Sequence, residues 1–165
     1  MNVSEALLES WDRQCKCVNS LATLVTTDLS QSKPSDDGMT LAAQFSHVNE
    51  VRSYWFQHAS GSPYDGYEEL FIQVGDEWIM SEDMSAIKKQ LALSETAIRS
   101  WLKSAFDSDH QVSGPYDHPV FYLQHMIWHE GYHVALIMLA LRKAGHEPSE
   151  EWEDSHLWGN WRNYG

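Results

Sequence analysis

Residues 129–133 read His-Glu-Gly-Tyr-His, and His125 stands one helical turn earlier. On a helix, His129 and His133 lie only about 40° apart around the axis and about 6 Å apart along it, so both imidazoles can reach one ion. The five residues fit the H-E-x-x-H pattern of zinc proteases, in which the glutamate is the general base and a third ligand follows downstream. Here the chain continues Val-Ala-Leu-Ile-Met-Leu, which lacks the H-x-x-G-x-x-H extension of one protease class. Glu147, Glu150, Glu151 and Glu153 could serve another class, but they follow Gly145 and Pro148 in a stretch without a clear helical period. Proteases of this kind also lay substrate along a sheet edge, and no sheet is expected before this helix. Glu130 stands about 80° from the midline of the two histidines, which leaves it three roles: an orienter of a ligand, a base, or a solvated residue. His125 is nearer the ligand row and suits an orienting or pocket-wall position better than that of a fourth ligand.

Two histidines on a buried stripe can equally be hydrogen-bonded core residues, and a third convergent ligand separates the readings. His47 is the candidate. It sits in "LAAQFSHVNEVRSYW", beside an apolar stripe rather than on the opposite polar face, so it points toward a bundle interior or its rim. Two ligands from one helix and one from another is how a helical bundle builds a metal site. Three neutral imidazoles leave an ion its full double charge, so a bound water or thiol becomes acidic enough to act as hydroxide or thiolate. Zinc and nickel suit imidazole, and iron remains open. Tyr54, Trp55, Tyr122, Trp128 and Tyr132 could wall a pocket for an apolar or aromatic electrophile, or be core.

The elements that must position these residues are helices. Apolar residues recur at Leu7, Leu8, Trp11, Cys15, Val18, Leu21, Ala22 and Val25, predicting a first helix from an N-cap at Ser4 to about Leu29. A second runs from about Thr40 to His58. Leu41, Phe45, Val48, Arg52 and Trp55 mark one stripe of it, and Gln44, His47, Val51, Tyr54 and His58 the adjacent one. A third starts near Ser81, with Ile87, Leu91, Ile98, Trp101, Leu102 and Ala105 on its buried face. The fourth opens at Asp117 before Pro119 and is closed by Arg142, Lys143, Gly145 and Pro148. The expectation is an all-α fold, a four-helix bundle over about residues 4–145 of a single domain spanning 1–165. Residues 61–80 make a long connection between helices 2 and 3, with room for a short strand at Phe71 to Val74. The tail, 146–165, holds Trp152, Trp158, Trp161 and Tyr164, too aromatic to be left unpacked.

With 24 acidic against 11 basic residues, the net charge of -13 disfavours nucleic acid and anionic membrane surfaces as partners. No apolar run approaches the roughly 18 residues of a membrane span, and Met1 to Ser10 lacks the basic-then-apolar pattern of a signal peptide, so a cytoplasmic protein is expected. Cys15 and Cys17, two residues apart on a helix, point to different sides and read as separate reduced thiols. His58 reads as structurally unremarkable, and His110, His118, His146 and His156 as surface residues.

The pattern of "QFSHVNEVRSYW" followed by "HMIWHEGYHVALIMLALRKAG" resembles the DinB/YfiT-like superfamily of metal-binding four-helix bundles, from about residue 5 to 145. The resemblance implies a metal triad of His47, His129 and His133, with coordination positions left for water or substrate, and commonly a homodimer. It also implies an enzyme acting on a small molecule: a metal-dependent S-transferase using a small thiol such as bacillithiol, a mycothiol-dependent isomerase, or a metal-dependent hydrolase. Many members follow the last histidine with Arg-Gly-Gln, whereas Val134-Ala135-Leu136 stands here, so the resemblance does not choose the cosubstrate. A non-enzymatic bundle with a structural or vestigial ion, working through its surface, is the other reading.

Overall fold

Asn2 opens the first helix with a reciprocal cap: its side chain accepts from the Glu5 N–H while the Glu5 carboxylate accepts from the Asn2 N–H. The cap therefore precedes Ser4, and α1 runs Val3–Leu24. It stops short of Leu29 because Val25 is extended and the β-branched Thr26 and Thr27 begin a turn that bonds back onto Thr26. In this computed structural model, which describes residues 1–107 and 114–162, the other long helices are α2 (Leu41–Ser60), α3 (Met84–Asp107) and α4 (Pro119–Lys143). Asp83 accepts from the N–H groups of Ser85 and Ala86, which sets the start of α3 beyond Ser81. His118, rather than Asp117, caps α4 by accepting from the Val120 N–H, with Pro119 as first residue.

The fold is a helical bundle in which α1 and α2 each pack against both α3 and α4. The helices that carry the three histidines are thus neighbours. The core divides into two apolar clusters. One gathers Leu21, Phe45, Leu91 and Ile137, the other Trp11, Phe56, Ile98 and Met126. Between them lies a polar layer with one residue from each long helix: Gln14, Arg52, Ser94 and Glu130. Arg52 and Glu130 are both 0 % exposed and make a bidentate pair, Nε to Oε1 at 2.6 Å and Nη2 to Oε2 at 2.9 Å. Gln14 donates to the same carboxylate at 3.2 Å, and the Trp11 ring lies 4.8 Å from the guanidinium carbon.

The long connection is anchored at Tyr64 and Leu70, both buried. The half-way residue Tyr67 and the Leu70 N–H both donate to the Glu50 carboxylate, at 2.9 and 2.8 Å. The strand expected near Phe71 is there as β1 (Phe71–Val74), and it has an unforeseen partner, β2 (Glu77–Met80), in an antiparallel hairpin. Gly75, at a φ of +65°, makes the turn. The tail packs back as α5 (Glu150–Glu153) and one π-helical turn (Asp154–Trp158), with Leu157 buried beside Cys17. Both thiols are free and buried, Cys15 toward Arg52 and Cys17 toward the tail. His118, His146 and His156 are exposed, whereas His110 and Tyr164 lie outside the described residues. Among the described residues no helix is long and apolar enough to cross a membrane.

Candidate metal centre

His47 leaves the middle of α2, and His129 and His133 leave α4 one turn apart; the side-by-side packing of these helices brings all three rings together. Ring centroids are 5.2 Å apart for His47 and His129, 4.8 Å for His47 and His133, and 4.5 Å for His129 and His133. One nitrogen from each lies within 4.8 Å of the others. The Nε2 atoms of His47 and His129 are 3.3 Å apart. That matches the separation of about 3.3 Å between two nitrogens that each sit about 2.05 Å from a tetrahedral ion. No further histidine, cysteine or carboxylate joins the three among the described residues.

His133 is the best-determined ring. Its Nδ1–H donates to the Oε1 of buried Gln44, one turn before His47 on α2, which fixes the tautomer and leaves Nε2 with a bare lone pair. His129 differs: its Nδ1 is buried without a hydrogen-bond partner among the described residues. Burial and the neighbouring imidazoles hold the His129 ring well below the ordinary histidine range, at about 3, and burial and His47 hold His133 at about 4. Burial lowers His47 too. All three are therefore neutral at pH 7, the state in which imidazole binds metal. Replacing Gln44 with leucine is expected to weaken zinc binding about 10- to 100-fold by releasing the His133 tautomer, as read in a competition titration against a chromogenic chelator.

Glu130 is not solvated. Its carboxylate lies in the core, held by Arg52 and Gln14, and bonds to none of the three imidazoles. The glutamate of the H-E-x-x-H match thus does not stand where a protease base stands, and the third convergent residue comes from an upstream helix. Of the downstream acids, Glu147 pairs with Arg142.

His125 is half-buried on the same row, its ring 6.3 Å from that of His129, and its Nδ1 meets the Tyr116 hydroxyl at 2.6 Å. Trp55 stands 5.8 Å from the His125 ring, and Tyr54 meets Trp55 edge-on and lies tilted against His58. Tyr122 is buried core, and Trp128 and Tyr132 face outward. Gln44 and Tyr116 are the residues that the sequence reading did not assign. Gln44 shares the His47 stripe and its i, i+3 spacing was the available signal, while Tyr116 lies in a non-periodic segment and left none. A cavity of about 460 Å³ lies across α4 from the triad, lined by Gln14, Cys17, Met138, Leu157, Trp158 and Trp161, and takes in none of the three imidazoles.

A family model described as the DinB superfamily matches residues 6–137. Neither a curated protein nor a solved structure matches the chain.

Proposed function

The chain belongs to the DinB superfamily, and from that premise we propose that it is a metal-dependent enzyme acting on a small molecule, by S-transfer from a small thiol or by hydrolysis. His47, His129 and His133 would hold a divalent ion, zinc or nickel by donor type and iron as a further candidate. The observation that carries the reading is the Gln44–His133 bond, which presents a bare imidazole nitrogen to two others within reach. A bound ion would supply Lewis acidity there, which would make a water or thiol on it acidic at neutral pH. The chain's own residues neutralise no part of that charge, since all three donors are neutral and Glu130 is committed to Arg52. Among the described residues three donors converge, and an ion held by three would keep a position for substrate, which favours an enzyme over a closed structural site.

The test is metal content by plasma mass spectrometry on untagged wild type and His47→Ala, purified in parallel and incubated with zinc or nickel. Near one equivalent in wild type and a loss in the variant are expected; equal binding by both would remove His47 from the site. A thiol-transferase then predicts spectral perturbation of the cobalt form by small thiols, and a hydrolase predicts turnover of activated esters without them.

A homodimer is proposed with this activity. Apart from the row of His125, His129 and His133, the only acidic or basic side chain of α4 before Arg142 is Glu130, which is buried, yet Phe121, Trp128, Tyr132 and Leu139 are exposed on its outer face around Gly131 and Ala135. An uncharged, aromatic-rich outer face of a helix is normally covered. Ala135→Arg is expected to convert a dimer to a monomer in light scattering; an unchanged mass would place the interface elsewhere.

A further inference from the structure

The edge of the triad nearest Trp55 holds a second polar device. Tyr116, in the segment before α4, reaches the Nδ1 of His125 at 2.6 Å, and Trp55 flanks both rings at 5.8 and 5.9 Å. Burial pushes the Tyr116 phenol up to about 12, so it keeps its proton, and His125 is its one hydrogen-bond neighbour among the described residues. With the phenol as donor to Nδ1, Nε2 carries the proton of neutral His125. That Nε2–H has no acceptor among the described residues. The other polar groups near the triad are spent or displaced: Gln44 on His133, Arg52 and Glu130 in the core, and Tyr132 solvated and edge-on to His133.

We infer that His125, held by Tyr116, is the hydrogen-bond donor that selects the molecule bound at the triad, and that this molecule carries an acceptor oxygen, carboxylate or carbonyl, beside the atom that meets the ion. Trp55 gives the body of that molecule an apolar wall. Tyr116 acts as a positioning residue, fixing the tautomer and plane of the ring. The inference rests on the metal reading above and adds the substrate class to it.

Two probes separate this role from a purely structural one. Acetate offers one oxygen to an ion and a second to His125, whereas imidazole binds an ion and offers His125 nothing. Both are titrated into the cobalt(II)-loaded full-length protein and followed by visible absorption, with cobalt content measured on every sample. His125→Phe is expected to raise the acetate dissociation constant about 10-fold and leave that of imidazole unchanged, consistent with loss of one hydrogen bond to a charged acceptor. Tyr116→Phe, which keeps the ring and loses the hydroxyl, is expected to cost acetate about 3-fold, and His125→Gln to recover most of the loss. Equal shifts for both probes, or none for acetate, overturn the assignment in favour of a structural tie between the 114–118 segment and α4. Absence of cobalt from wild type would instead show that the metal reading fails, and this one with it.

Discussion

Glu130→Ala is expected to cost about 3–5 kcal/mol of stability, because it leaves the Arg52 guanidinium charged, buried and without its counter-ion. For a chain of this size that corresponds to a fall in melting temperature of about 6–20 °C. Urea unfolding and calorimetry would measure it. The double replacement Arg52→Met with Glu130→Leu removes both charges and fills the space, and is expected to lie within about 1–2 kcal/mol of wild type in either direction. A loss below about 1 kcal/mol for Glu130→Ala would mean that water reaches the pair. The comparison also isolates what the pair does for the site. Arg52 is five residues after His47, and Glu130 adjoins His129, so the bidentate contact sets the rotation of α2 against α4 at the point where the three imidazoles meet. An apolar pair of equal volume restores stability without a directional contact, and a weaker affinity for zinc in the double variant at unchanged stability would measure that registering role.

Zinc itself is expected to raise the stability of the metal-free protein by about 3–4 kcal/mol when free ion exceeds its dissociation constant 100- to 1,000-fold. The matching rise in melting temperature is about 6–16 °C, and His133→Ala should abolish it. The metal-free protein carries its own pH signature. His129 and His133 are depressed to about 3 and 4, so between pH 6.5 and 4 the unfolded chain takes up protons that the folded chain refuses. Stability without metal is therefore fully present above pH 6.5 and declines as pH falls toward 4. Thermal scans in chelator across that range test the sign; a flat profile would mean that the imidazoles are as solvated folded as unfolded.

Periodicity was enough to find all four long helices, because each buries an apolar stripe wide enough to dominate its window. Their ends were less legible. Val25 and Leu29 keep an apolar rhythm past the true end of α1, which the extended Val25 and the turn from Thr26 break. Strand β1 was visible in the run Phe-Ile-Gln-Val, but β2 was not, since its register exists only through pairing with β1. At the site, His47, His129 and His133 were legible as types and spacings, and their convergence was an expectation from the stripe that carries His47 and from how bundles build metal sites, to which the resemblance added the triad. Glu130 shows the limit most plainly. Seen along α4 alone, its angle to the two histidines leaves three roles open. Its actual environment depends on Arg52, which the same reading placed in an apolar stripe, where a guanidinium is anomalous unless something buried answers it. The answer lay 78 residues away in sequence.

That separation has a kinetic consequence. His47 and His129 are 82 residues apart, and they meet only when α2 and α4 lie side by side. Closing a loop of that length is among the slower, entropy-limited events in forming a bundle, and no isolated helix or hairpin of this chain contains the triad. Ion capture can thus serve as a clock for the last stage of folding: a cobalt spectrum that develops in step with the final refolding phase, rather than with the early rise in helical signal, would time the moment at which the bundle closes.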